Sequence, residues 1–140
     1  MISYSYLAGF IDGEGCIGFT QCRGNLVPRL VITNTNLDII EALKEQFGGY
    51  ITIPKKYNSS WKQGYHWTLT GNKAVDLLDK CIKHLKIKTS QAEALFAFSA
   101  TQPGSGRSWT QEGKEACEWL KEYVHELNQK GDNYEESRKV

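Results

Sequence analysis

Residues 7–15, with the sequence L-A-G-F-I-D-G-E-G, combine a helical apolar pattern with a stripe of small side chains. Two pairs of residues four positions apart share one side of such a helix, Ala8 with Asp12 and Gly9 with Gly13. Small residues at this spacing allow two helix backbones to approach closely and cross. The segment therefore predicts a helix that packs against a second helix, and this requirement constrains the fold more than any other part of the chain.

Glu14 follows this stripe directly and is flanked by two glycines, which allow the chain to leave the helix and enter a strand. If two copies of the helix lie side by side, two Glu14 carboxylates come close together at helix C-termini. Like charges repel each other there and are also repelled by the negative ends of the helix dipoles, unless a divalent cation lies between them. The alternative is that Ala8 and Gly9 are ordinary small core residues and Glu14 is a solvated acid.

Apolar periodicity and turn residues predict the remaining elements. They are a helix over 4–13, strands over 16–23 and 29–33 with a turn at Gly24-Asn25, a helix from a Thr35–Asp38 cap to Gly48-Gly49, strands over 50–55 and 64–70, a helix over 72–85, a helix from a Ser90–Glu93 capping box, a loop at Pro103–Gly106 and a helix over 110–129. This order is typical of an α+β fold in which helices cover one face of a four-stranded antiparallel sheet. The length of 140 residues predicts one domain over 1–130, followed by a polar, disordered tail over 131–140.

Charge is distributed unevenly along the chain, although the formal net charge is only +1. Residues 1–90 carry 11 basic and 7 acidic side chains, whereas residues 91–140 carry 6 basic and 9 acidic ones. The segments 16–35 and 50–70, both predicted to form strands, contain no Asp or Glu. A surface on which every charge is positive suits a polyanion such as a nucleic acid. The alternative is that the acidic residues merely cluster on helices.

The alternation along the predicted strands indicates which side chains point away from the apolar core. They are Thr20, Cys22, Arg29, Thr52, His66 and Thr68. A two-stranded antiparallel ribbon fits the major groove of DNA and presents alternate side chains to base edges, where Arg29 suits a guanine. Basic residues near the predicted turns suit phosphates instead. These are Arg23, Lys55, Lys56 and Lys62.

The string at residues 7–15 resembles the signature of the LAGLIDADG homing endonucleases, with Phe, Gly and Glu as variants within it. The αββαββα order of that family also matches the predicted elements, so the resemblance covers about residues 4–100. It implies the LAGLIDADG fold, with C-terminal helices and a DNA-binding sheet. It also implies a site-specific endonuclease that makes a metal-dependent double-strand break with 3′ overhangs in a long, pseudo-palindromic DNA target. The gene would lie in a mobile intron or form a free-standing element.

The chain contains one copy of the motif, and the resemblance therefore implies a homodimer. Its interface would consist of the small-residue stripe, Ala8, Gly9, Asp12 and Gly13. The resemblance further implies that Glu14 binds the catalytic Mg²⁺ together with the backbone carbonyl of Gly13, whereas Asp12 has a structural role at the helix end. Glu replaces the commoner Asp at the metal position and has one methylene more reach.

Two supporting catalytic residues are also implied by the resemblance. Residues 85–92 are similar to a family segment that brings a lysine to the edge of the active site, here Lys88. A cation there would stabilise charge on the scissile phosphate or polarise the attacking water. Asn34 occupies a position where the family often keeps a Gln or Asn that orders water near the metal. The alternatives are a solvated lysine before a helix and a turn-forming asparagine.

Two other functions are compatible with the same motif, an RNA-splicing maturase and a DNA-binding regulator without nuclease activity. The four cysteines contain no C-x-x-C pair, and the longest apolar run is too short to cross a bilayer. We therefore expect a reduced, intracellular, DNA-associated protein of bacterial, phage or organellar origin. Its partners would be double-stranded DNA and a second copy of itself, with no membrane and no small-molecule cofactor.

Overall fold

The computed structural model describes residues 1–101 and 110–138 of the chain, and side chains as far as residue 129. Its elements are α1 (Tyr4–Glu14), β1 (Gly15–Cys22), β2 (Asn25–Asn34), α2 (Leu37–Phe47), β3 (Tyr50–Thr52), β4 (Tyr65–Thr70), α3 (Asn72–Cys81), a 3-10 turn (Ile82–His84), α4 (Thr89–Thr101) and α5 (Gln111–Arg138). The predicted α+β fold is confirmed. The predicted loop at Pro103–Gly106 lies outside the described residues. No helix in the described part of the chain is both long enough and apolar enough to span a membrane.

All four strands belong to one antiparallel sheet in the order β1-β2-β4-β3. Ile17 of β1 pairs with Leu30 of β2, which in turn pairs with Leu69 of β4. Alternation places the fully or almost fully buried strand residues on one face, the inner face, where they pack against the helices. They are Ile17, Leu30, Ile32, Trp67 and Leu69. The opposite face, called the outer face below, carries the side chains that alternate with these residues.

Helix α1 packs against the inner side of the sheet and against α3. It begins at Ser3, whose hydroxyl accepts a hydrogen bond from the Tyr6 N–H at 3.1 Å. It ends at Gly15, where an added Cβ would lie 2.8 Å from the carbonyl oxygen of Ile11. Glycine is therefore needed for the chain to pass directly from α1 into β1.

Two turns differ from the prediction. The β1–β2 hairpin turns at Arg23 and Gly24, with φ values of 52° and 80°, rather than at Gly24 and Asn25. Positive φ at both central residues gives the backbone twist that a two-residue hairpin requires. Helix α2 is capped by Asn36, whose side chain accepts from the Ile39 N–H at 3.3 Å, rather than by Thr35.

Several element boundaries also differ. Strand β2 begins at Asn25 rather than at residue 29. Strand β3 ends at Thr52 rather than near residue 55, and Pro54 has no N–H to continue the ladder. Helix α3 ends at Cys81, and the predicted continuation to residue 85 is a 3-10 turn. Helix α4 begins at Thr89, one residue before the predicted Ser90 cap.

Helix α5 packs against α4 and covers the free edge of β1. The ring centroids of Phe19 on β1 and Phe98 on α4 lie 5.0 Å apart, edge to face. The two rings belong to a hydrophobic cluster to which α5 also contributes side chains. At the edge itself, the Asn128 side-chain amide donates to the backbone carbonyl of Ile17 at 3.1 Å. Gln91 of α4 donates to Asn128 at 3.4 Å. The α5 backbone continues to Arg138, further than expected, while the division into a domain over 1–130 and a tail over 131–140 stays a prediction.

Candidate active site

Glu14 is the last residue of α1, and its side chain is exposed. The carbonyl groups in the last turn of a helix have no partner within the helix, so the exposed Gly13 next to Glu14 presents a backbone oxygen at the same place. A carboxylate and a carbonyl oxygen are the ligand types that Mg²⁺ and Ca²⁺ prefer. The end of α1 therefore offers two oxygen ligands of the right kind for a hard divalent cation.

Lys88 extends from the segment before α4 to this same end of α1. Its half-buried ammonium group donates to the carbonyl oxygen of Ile11 at 3.2 Å and also to that of Gly15. A cation at a helix C-terminus is favoured by the helix dipole and by the unsatisfied carbonyls. Lys88 is thus not a freely solvated lysine. Its ammonium group is held by the backbone carbonyls of Ile11 and Gly15, which lie on either side of Glu14 in the sequence.

Asp12 connects α1 to the segment that carries Lys88. Its carboxylate oxygens accept three backbone hydrogen bonds, from Lys86 at 2.8 Å, Ile87 at 3.1 Å and Lys88 at 3.0 Å. The negative charge also lies at the N-terminal end of α4, where the dipole of that helix favours an anion. The side chain therefore holds residues 86–88 against the end of α1.

Asn34 ends β2, two residues beyond Ile32, which pairs with Gly15. It therefore lies at the same end of the sheet as Glu14. Its side-chain oxygen accepts from the Asn36 N–H at 2.8 Å, which is a local turn interaction. The turn-forming role left open by the sequence is present, and a role in ordering water near a metal stays a prediction.

The small-residue stripe of α1 is divided between two sides of the helix. Gly9 and Gly13 are exposed, and nothing lies within 4 Å of a Cβ added to either of them. Ala8 is fully buried in the core of its own chain, so its assignment to a helix–helix interface was wrong. Ala8 lies beside Leu7 on the inward side of α1. The spacing of small residues could not show this, because it does not tell which side of the helix faces the core. Asp12 is occupied by the contacts described above.

The outer face carries all six side chains that alternation assigns to it, because the register of the strands places them all on the side opposite to the buried residues. They are Thr20, Cys22, Arg29, Thr52, His66 and Thr68. Thr68 is nevertheless only 5% exposed, so its assignment as a DNA contact was wrong. It lies on the inner strand β4, paired with Val31 of β2 on one side and with Tyr50 of β3 on the other.

The four basic residues assigned to phosphates are all exposed and lie at opposite ends of the sheet. Arg23 forms the tip of the β1–β2 hairpin. Lys55, Lys56 and Lys62 lie in the β3–β4 loop, residues 53–64, which leaves the sheet at the Asn34 end. Exposed positive charge is thus present at both ends of the outer face, whereas Arg29 between them shares a cavity with Glu122 and Glu126.

Two features of this face were not predicted. The Thr33 hydroxyl and His66 Nδ1 are 2.6 Å apart on neighbouring strands, which orients the imidazole ring. A cavity of about 690 Å³ lies where α5 meets the sheet, and both basic and acidic residues line it: Arg29, Lys121 and His125 with Glu122 and Glu126. Alternation places Thr33 and His66 on the same face, but cross-strand register was needed to pair them.

Within the described residues, no group of three or more His, Cys, Asp or Glu side chains is arranged to hold a metal ion. Glu14 and the Gly13 carbonyl alone do not complete the coordination of a hard divalent cation, which takes six or more oxygen ligands. A second copy of α1 or the phosphates of a nucleic acid would provide oxygen ligands of suitable chemistry.

The family model described as LAGLIDADG endonuclease matches residues 7–101 of this chain. No curated protein matches it. Several solved structures are similar in fold. The homing endonuclease I-CvuI, solved with the I-CreI target in the presence of 2 mM Mg, has 18% sequence identity and a TM-score of 0.64, and the match covers 89% of this chain and 80% of that one.

Two further structures give comparable matches. The archaeal intron-encoded homing endonuclease I-Vdi141I, solved in complex with DNA, is 20% identical with a TM-score of 0.61, over 90% of this chain and 82% of that one. The homing endonuclease I-TnaI is 18% identical with a TM-score of 0.63, over 92% of this chain and 97% of that one. At these identities the similarity establishes the fold.

Proposed function

This chain belongs to the LAGLIDADG endonuclease family, and from that premise we propose that it is a homing endonuclease that acts as a homodimer. It hydrolyses one phosphodiester on each strand of a long, pseudo-palindromic DNA target and requires a divalent cation. The observation that carries the proposal is the exposed carboxylate of Glu14, which ends α1 beside the fixed ammonium group of Lys88. A metal ligand and a cation at the same helix end suit the stabilisation of charge on a phosphate.

The exposed stripe of α1 supports the homodimer. Gly9 and Gly13 leave the outward side of the helix without bulk, so that a second copy of α1 could approach closely. Such an isologous contact would bring the two Glu14 residues together at neighbouring helix ends. Each chain supplies one carboxylate, and the pair would then form a complete acidic site, one half for each DNA strand.

Mg²⁺ is the proposed cofactor, and Glu14 with the Gly13 carbonyl would hold it. The I-CvuI structures contain a DNA target in the presence of 2 mM Mg, where the DNA is not cleaved, and of 2 mM Ca. When bound, the cation would polarise the scissile phosphate and lower the pKa of an attacking water. The chain's own residues have other tasks: Lys88 keeps positive charge beside the phosphate, and Asp12 keeps Lys88 in place.

The outer face of the sheet supports duplex DNA as the substrate. Its exposed basic residues have no acidic neighbour in the segments 16–35 and 50–70. Arg29 and the ring of His66, oriented by Thr33, supply hydrogen-bonding groups for base edges. Arg23 and the lysines of the β3–β4 loop supply charge for phosphates on either side.

The decisive experiment separates DNA binding from cleavage. Glu14→Gln removes the charge at nearly constant shape, so the dimer should fold and should bind DNA in Ca²⁺ at least as tightly as the parent chain. Its Mg²⁺-dependent cleavage should fall by orders of magnitude, because the metal ligand is lost. The substrate is DNA from the two flanks of the chain's own gene, joined without the insert, and sedimentation is used to check for twice the 15.9 kDa chain mass.

Glu14→Asp is the matched control, because it keeps the carboxylate and changes only its reach. It should retain cleavage. If Glu14→Gln cuts at the parental rate, Glu14 does not hold the metal and the mechanism is wrong. If the parent chain binds the joined-flank DNA tightly but does not cut it, a DNA-binding regulator becomes the better assignment.

A further inference from the structure

The β3–β4 loop exposes two large aromatic side chains. Tyr57 is 93% exposed and Trp61 is 58% exposed. An aromatic ring contributes to folding by the large apolar area that it buries, and these two rings bury little of theirs. Exposed aromatic residues on a loop beside a binding face are typical of contacts to a partner.

Hydrogen bonds within the loop hold it in one conformation. At its base, the Gln63 side chain donates to the carbonyl oxygen of Pro54 at 3.0 Å. Further out, the ammonium group of Lys56 donates to the Trp61 carbonyl at 3.2 Å, and the Trp61 N–H donates to the Asn58 carbonyl at 3.1 Å. A loop ordered in this way loses little conformational entropy when a partner binds.

The charge of this region indicates the chemistry of the partner. Residues 46–75 contain no Asp or Glu, while Lys55, Lys56 and Lys62 are exposed around the two aromatic rings. Aromatic rings interleaved with lysines suit a nucleic acid, since the rings pack against sugars and bases while the ammonium groups contact phosphates.

The register of the sheet places this loop near the proposed cleavage centre. Tyr65, the first residue of β4, pairs with Asn34, and Asn34 lies two residues beyond the partner of Gly15. The loop therefore leaves the sheet at the Glu14 end, displaced sideways by the two strand spacings from β1 to β4, or about 10 Å.

We infer that Trp61 and Tyr57 of the β3–β4 loop form an aromatic DNA contact of this chain, in which the two rings pack against deoxyriboses of the duplex backbone. The contact is sequence-tolerant, because every nucleotide carries the same sugar. This inference rests on the proposed function, and it adds an aromatic anchor beside the cleavage centre to the base contacts of the outer face.

Trp119 on α5 provides a matched control, because it is 61% exposed and stacks on Tyr123 with ring centroids 5.2 Å apart. Its surroundings are acidic, with Glu115, Glu118 and Glu122 lining the same surface. We expect Trp61→Ala to weaken binding to a random-sequence 30-base-pair duplex in Ca²⁺ by about tenfold, measured by fluorescence anisotropy. Trp119→Ala should leave the affinity within about twofold of the parent value.

Tryptophan fluorescence gives a second readout that does not depend on affinity. Binding of the duplex should quench the emission of the parent chain, and Trp61→Phe should remove this quenching while keeping most of the affinity. Trp119→Phe should leave the quenching unchanged. This arm also decides the question if Trp61→Ala fails to fold.

The outcomes separate the inference from the proposed function. If the parent chain binds no duplex in Ca²⁺, the proposed function and the inference fail together. If the parent chain binds, but the substitutions at Trp61 and Trp119 have equal effects on both affinity and quenching, the aromatic rings of the loop are not a DNA contact while the proposed function stands.

Discussion

Replacing Asp12 with alanine should destabilise the fold, because its carboxylate accepts three backbone hydrogen bonds from residues 86–88. A hydrogen bond to a charged group contributes roughly 1.5–3 kcal/mol, so three of them set an upper limit of about 9 kcal/mol. Lys86 and Ile87 are exposed, and water can replace Asp12 at their amides. We therefore expect a loss of about 2–3 kcal/mol in the free energy of unfolding, comparable to a strong helix cap together with one further bond.

Urea denaturation is the appropriate assay. With an m value of about 2 kcal/mol per M, this loss lowers the midpoint by roughly 1 M while leaving the slope unchanged. Asp12→Asn keeps one acceptor oxygen and should lose about half as much. Because a homodimer couples unfolding to dissociation, each variant is measured at two protein concentrations and compared at equal concentration.

Asp79→Ala is the matched control, since Asp79 is an exposed aspartate on α3. It should stay within about 0.5 kcal/mol of the parent chain. If Asp12→Ala also stays within that range, the three hydrogen bonds do not hold α1 to the segment before α4. Cleavage gives a second comparison, because Lys88 lies in the segment that Asp12 fixes and the Asp12 variants should therefore cut more slowly than Asp79→Ala.

Three further predictions concern glycine substitutions and the reactivity of a buried thiol. Gly49→Ala should lower the urea midpoint several times more than Gly48→Ala. Both glycines have φ near 85°, so alanine is strained at either position. An added Cβ on Gly49 would also overlap a carbonyl oxygen of β4, whereas one on Gly48 meets nothing within 4 Å. Gly9→Ala should raise monomer stability by about 0.5–1 kcal/mol through helix propensity yet shift sedimentation toward monomer, and an unchanged dimer would contradict the close helix contact. Burial raises the pKa of the Cys81 thiol to about 11 and keeps it out of contact with solvent. At pH 8 a thiol reagent should therefore modify the exposed Cys16 and not Cys81, and equal rates by mass spectrometry would refute this.

Local pattern was sufficient for most of the secondary structure and for the face of each strand. Alternation along β2 and β4 places Leu30, Ile32 and Trp67 inward, and all three are fully buried. A strand has a period of two, so one buried residue fixes the direction of all its neighbours. The motif in α1 likewise predicts the position of Glu14 at the end of a helix.

Contacts between distant parts of the chain could not be predicted in the same way. The bond between Asp12 and the Lys86 amide spans 74 residues, and no local pattern encodes it. The misassignment of Ala8 has a similar origin. Small residues lie on two adjacent sides of α1, and which side is buried depends on the elements that pack against the helix rather than on the spacing of the small residues. Thr68 is covered by residues of neighbouring strands, which alternation along β4 alone does not specify.

The hydrogen bond from Asn128 to the Ile17 carbonyl limits how two copies of this chain can associate. An uncovered outer strand acts as a template on which another chain can add a strand of its own. Here α5 lies along β1, while the opposite margin is formed by β3 with three residues. Two copies are thus discouraged from merging into a continuous ribbon, and the proposed helix-to-helix dimer would leave the outer face of each sheet uncovered for its own stretch of the proposed double helix.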